Sequence, residues 1–139
     1  MGTSVPITLF LLVSTMILYT AQIAKWRLAA QRKIPYIDTT VKSGVKTFAP
    51  TWSIVLGIKG QGTTPITEEE YCVEYRRLMD LSMEENYKEW DDLINMEEVC
   101  IMCYCPKDKF CHRYVLKDII KLFCERSMVD FVYGGELTD

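Results

Sequence analysis

"VCIMCYCPKDKFCHRYVLKDIIKLFCER", residues 99–126, decides the fold. Its first seven residues form an apolar run without alternation, as expected of a central parallel strand covered on both faces. Its last fifteen set Val115, Leu116, Ile119, Ile120 and Phe123 on one side of a helical period, opposite Lys117, Asp118, Lys121 and Glu125. "PKDKF", residues 106–110, is a short polar loop between them. A buried strand leading through a short loop into an amphipathic helix is the repeating unit of a parallel α/β sheet.

Working outward, "ILYTAQIA" (17–24) reads as a buried first strand and "KWRLAAQRK" (25–33) as the start of a helix. "PYIDTTV" (35–41) is a second strand, closed by the turn signal "KSG" (42–44). "APTWSIVLGIKG" (49–60) is a short helix entered through Pro50 and stopped near Gly60, and "GQGTTPI" (60–66) is a loop. Two capping boxes, Thr67 with Glu70 and Ser82 with Glu85, predict two further helices. "MVDFVYGGEL" (128–137) supplies a last strand ended by Gly134 and Gly135. The order β, α, β, α, α, α, β, α, β predicts a three-layer α/β domain. Its sheet is mostly parallel, of about four strands flanked by helices.

The N-terminus carries three readings. "VPITLFLLVSTMILYTAQIA" (5–24) is uncharged and of membrane-span length, and Lys25, Arg27, Arg32 and Lys33 follow it. A signal peptide fits less well, because no basic segment opens the chain. The preferred division is a hydrophobic extension over residues 1–15 and a single domain over 16–139, with residues 17–24 in the sheet rather than in a membrane.

The chain has 139 residues, enough for one core. Sixteen Lys and Arg against 19 Asp and Glu leave a net charge of −3, which argues against a generic nucleic-acid binder. Six cysteines in a domain this rich in aromatics need not be staples, so a reduced, cytoplasmic setting is expected.

Chemistry concentrates in "CYCPKDKFCHR" (103–113), which holds three cysteines and the only histidine. As a zinc knuckle its spacing fails: Cys103 and Cys105 sit two apart on a strand, and adjacent Cys111 and His112 diverge around a helix. No metal or cofactor is expected on that count. A phosphatase-like loop requires Arg about six residues after the nucleophile, but six after Cys105 is Cys111, and Arg113 lies eight after it. What remains is a strand–loop–helix turn with free N–H groups at a helix start, cationic Lys107, Lys109, His112 and Arg113, and a thiol, Cys111, favoured as thiolate by the helix dipole. The plainer account stands beside it: Cys72, Cys100 and Cys103 fill the core, and the lysines are a solvated loop.

The same residues carry a family likeness. A strand ending in "CYC", a polar loop and "FCHRYVLKDII", together with "LYTAQIAKWR", "IDTTVKSG", "FAPTW", "EEYCVEYRRLM" and "YGGEL", resemble the domain-of-unknown-function 488 family. The resemblance covers residues 17 to about 137 and implies an α/β domain without an assigned reaction. Cys105 stands where relatives often carry an acidic residue.

The expected function is binding of a nucleotide-like or otherwise phosphorylated ligand, with chemistry on it left open. Ligands of such sheets lie beyond the carboxyl ends of the strands, where "KSG" and "PKDKF" meet. Lys42 and Arg113 are the expected anion clamps, Ser43 a hydrogen-bond donor, His112 an acid or base, and Cys103 or Cys111 a reactive thiol. Asp38 and Trp52 border the pocket, Trp52 as a stacking surface. The alternative from another class is a non-catalytic interaction module, virus- or mobile-element-encoded, using the acidic helix starts. A domain anchored in a membrane through residues 5–24 is the third reading.

Overall fold

The computed structural model describes residues 14–61, 64–107 and 109–139. Four strands, β1 (Thr15–Gln22), β2 (Tyr36–Asp38), β3 (Glu98–Cys103) and β4 (Asp130–Glu136), form one sheet in the order β2-β3-β1-β4. Every neighbouring pair is parallel. The helices are α1 (Trp26–Gln31), α2 (Trp52–Ile58), α3 (Glu68–Glu85), α4 (Tyr87–Ile94) and α5 (His112–Arg126). The expected three-layer α/β architecture is therefore the observed one.

Strand alternation distributes the core. Met16 and Leu18 of β1 and Val99 and Ile101 of β3 pack against α2 to α5, while Tyr19, Ala21, Cys100 and Met102 pack against Ala29 of α1. The larger core lies on the first face, with Tyr75, Met79, Trp90, Leu116 and Ile120 fully enclosed. Thr15–Gln22 pairs on both sides as a central strand, so the second half of the 5–24 segment belongs to the sheet. The proposed extension, up to residue 13, lies outside the described residues. No helix among the described residues is long and apolar enough to cross a membrane.

Three local readings change. The second strand stops at Asp38, because Asp38 turns the chain by accepting Thr40 N–H (2.8 Å) and Ser43 Oγ–H (2.6 Å). Ser82 begins no helix: α3 runs through it to Glu85, and its buried hydroxyl donates to the Thr47 carbonyl at 2.6 Å. The capping box at Thr67 and Glu70 does form. Gly134 and Gly135 do not end β4 but shift its register against β1, where Leu18 opposes Tyr133 and Tyr19 opposes Gly135. A Cβ on Gly134 would lie 2.3 Å from the Tyr19 ring, and Gly135 has φ +101°, so both positions favour glycine. The shifted strand ends at Glu136, which matters for the site.

Candidate active site

A cavity of about 260 Å³ opens at the carboxyl ends of β2 and β3. The turn after β2 supplies Thr40, Val41 and Lys42, α2 supplies Trp52, Val55 and Ile58, and α3 supplies Tyr71. Cys103, Tyr104, Cys105, Phe110, Cys111 and His112 close it from the strand–loop–helix turn. Phe110 stands edge-on to Tyr71, with ring centroids 5.1 Å apart, so two aromatic residues form one wall. Lys42 and Lys59 are exposed lining residues, and Trp52 is 52% exposed beside them.

Of the residues anticipated here, the fold brings Lys42, Trp52, Cys103, Cys111 and His112 to the cavity wall. Asp38 and Ser43 stand behind it, bonded to one another in the turn that carries Lys42. Burial opposes ionisation of Asp38, but the hydrogen bonds from Ser43 and Thr40 outweigh it and hold the carboxyl below its ordinary range. Lys107 and Lys109 are exposed and do not line the cavity.

Gly44 fixes that turn by close approach. Its N–H donates to the Thr40 carbonyl at 2.9 Å, and a Cβ there would lie 2.4–2.6 Å from Thr40 N, Thr40 O and Asp38 O. These are backbone atoms that cannot swing aside. Gly44→Ala is expected to cost about 1–3 kcal/mol by overpacking. A urea midpoint against the wild type checks this.

Arg113 is not an anion clamp. Its side chain is fully buried, and Nε and Nη2 donate to Glu136 at 3.3 and 2.8 Å. Nη1 donates to the Cys105 carbonyl at 2.7 Å and to Cys103 Sγ at 2.9 Å, and Nη2 to Tyr114 Oη at 3.0 Å. The guanidinium is thus a bracket joining β3, α5 and β4 behind the cavity.

His112 departs from expectation too. It is buried, and Nε2 lies 2.8 Å from the Thr39 carbonyl. A carbonyl only accepts, so Nε2 carries the hydrogen and Nδ1 keeps its lone pair, 3.8 Å from Cys111 Sγ. Burial pushes its pKa down to about 4, against an opposing pull from the Thr39 hydrogen bond. His112 is therefore a neutral, oriented imidazole rather than a group titrating near pH 7.

Cys103 ends β3, Cys111 occupies the N-cap of α5, and the two are paired as a disulfide across the loop, so the expectation of reduced cysteines does not hold for this pair. Together with His112 they gather three ligand atoms within 4.8 Å of one another. Spacing along the chain had argued against such a cluster, because the partners are not the neighbours Cys103 and Cys105 but residues on opposite sides of the loop. The other thiols differ: burial raises Cys100 to about 12 and Cys124 to about 11, as befits core residues.

Tyr71, Phe110, Ile58 and Lys59 were not anticipated as wall residues. Tyr71 was legible only as part of the apolar face of its helix, and that face proves to cover both core and cavity.

No curated protein and no solved structure matches the chain. One family model does match, over residues 19–122, a span that includes the second half of β1, the Asp38–Gly44 turn and the whole Cys103–Arg113 segment. The chain belongs to the DUF488-N3a family, described as the active DUF488-N3 subclade.

Proposed function

We propose that the cavity binds a small nucleotide-like ligand, with a planar ring among Trp52, Tyr71 and Phe110 and a phosphate at Lys42 and Lys59. The observation that carries this reading is the composition of the wall: aromatic and aliphatic side chains enclose the space, and two exposed lysines stand at it. At about 260 Å³ the space suits a base or nucleoside rather than a larger cofactor, since pockets for drug-sized ligands begin near 300 Å³. The family's description as active favours chemistry on that ligand, and Cys103 and Cys111, disulfide-paired in the structure, supply nucleophilic thiols in the wall once reduced.

The acidic start of α3 favours the alternative of a protein-docking module less. Glu68, Glu69 and Glu70 already have a local role, facing the positive end of the helix dipole and completing the capping box. A reducing, cytoplasmic setting is part of the same proposal: Cys72, Cys100, Cys105 and Cys124 are free, and the Cys103–Cys111 disulfide would be opened there.

Thermal shifts and calorimetric titration with nucleosides, nucleoside monophosphates and sugar phosphates test this reading. A monophosphate at a hundred times its Kd is expected to stabilise the wild type by about 2.7 kcal/mol. Trp52→Ala is expected to weaken binding by about 1–3 kcal/mol through lost stacking, and the half-exposed site lets the fold tolerate the change. Equal binding of sugar phosphates would remove the ring from the proposal, and an absence of hits would remove the ligand class.

A further inference from the structure

We propose that Cys103, Cys111 and His112 hold a thiophilic divalent metal ion, zinc by the chemistry of the set, with one coordination position facing the cavity. Two thiolates and an imidazole are ligands zinc prefers, and the three donor atoms already lie within 4.8 Å of one another. The Cα atoms of Cys103 and Cys111 stand 7.8 Å apart. The structure pairs them as a disulfide across a separation wider than the roughly 4.4–6.8 Å usual for one, and the ion is held by the two thiolates that a thiol reductant releases from it. Two thiolates around an ion, each about 2.3 Å from it, accommodate a wider separation.

The surrounding groups fit the same role. His112 donates through Nε2 to the Thr39 carbonyl, which turns the Nδ1 lone pair toward Cys111. Metal-bound histidines are commonly oriented by such a bond from the other ring nitrogen. Arg113 donates an N–H to Cys103 Sγ, while its own charge is balanced by Glu136. A dication with two thiolates is neutral, so the centre carries no uncompensated charge into this buried corner. All three ligands line the cavity. Three protein donors and a position open to a pocket are the arrangement of reactive rather than structural zinc. The metal site stands whether or not the cavity takes a nucleotide.

The test uses full-length protein, reduced, stripped with a chelator and titrated with cobalt(II), then zinc, as the metals alone. One cobalt per chain is expected, with the strong visible bands of a tetrahedral ion and thiolate-to-cobalt charge transfer, both lost when zinc displaces it. Cys111→Ser and His112→Ala are expected to weaken binding beyond the 10–100-fold typical of outer-shell changes. Cys72→Ser, at a free cysteine outside the cavity wall, is expected to leave it intact. Should a ligand variant fail to fold, alkylation of the wild type decides: zinc is expected to protect Cys103 and Cys111 while half-buried Cys72 and Cys105 still react. Absence of stoichiometric cobalt binding overturns the site, as do charge-transfer bands of undiminished intensity and affinity in Cys111→Ser. Equal alkylation with and without zinc does the same.

Discussion

Arg113→Ala is expected to lose about 3–5 kcal/mol of stability, the cost of removing one partner from a buried ion pair. Glu136 would keep a carboxylate only 9% exposed with its counter-charge gone. The Cys105 carbonyl and Cys103 Sγ would lose the same donor at once. Against a total of roughly 5–15 kcal/mol for a domain of this kind, that loss leaves a substantial unfolded population. Arg113→Lys is expected to rescue little, because an ammonium cannot reproduce the fork that meets both Glu136 oxygens while also reaching β3. Arg113→Met with Glu136→Leu is expected to recover much of the stability, since replacing both charges by apolar groups of similar volume leaves nothing stranded. Urea unfolding of the three variants measures this. A loss below about 1 kcal/mol in Arg113→Ala would refute the bracket and return Arg113 to the solvent-facing, ligand-binding role its neighbours in sequence suggest.

That reversal shows where legibility ends. The strand–loop–helix reading of residues 99–126 holds because its signals are local: an unbroken apolar run, a polar loop and a 3.6-residue stripe that becomes α5, His112–Arg126. The cap at Thr67 holds for the same reason, as both partners lie within one turn. Roles that depend on distant partners are not written locally. Arg113 reads as an exposed cation until Glu136, 23 residues on, is carried to it by the register shift at Gly134 and Gly135. Ser82 matches a cap in pattern, yet Thr47, 35 residues away, captures its hydroxyl. Cys103 and Cys111 look mismatched by linear spacing because the loop, not the strand or helix alone, brings them together. The carboxyl-edge rule for parallel sheets does bring the Lys42 turn beside the Cys103–His112 turn, and both line one cavity.

Trp90→Ala is expected to cost a similar amount, about 3–5 kcal/mol, for a different reason. Trp90 is fully enclosed, with the Phe48 ring edge-on at 4.9 Å and Phe123 of α5 at 5.6 Å. Its indole N–H donates to Ser82 Oγ at 3.1 Å, and Ser82 in turn donates to the Thr47 carbonyl. Tyr75 Oη–H donates to the next carbonyl, Phe48, at 2.6 Å. One indole therefore ties α4 to α3 and α5 and clamps residues 47–48, the downstream anchor of the segment that begins at the Asp38–Gly44 turn and ends at Trp52. Truncation leaves a large cavity and loosens that segment, so amide exchange at Thr47 and Phe48 is expected to quicken beyond the global loss. Trp90→Phe keeps most of the apolar contact and forfeits the N–H donor, so about 1–2 kcal/mol is its expected cost. If Trp90→Ala and Trp90→Phe prove equally destabilising, the hydrogen-bond chain rather than the packing holds this corner. If neither exceeds about 1 kcal/mol, the larger core is organised around α5 alone, and the cavity's upstream wall is anchored elsewhere.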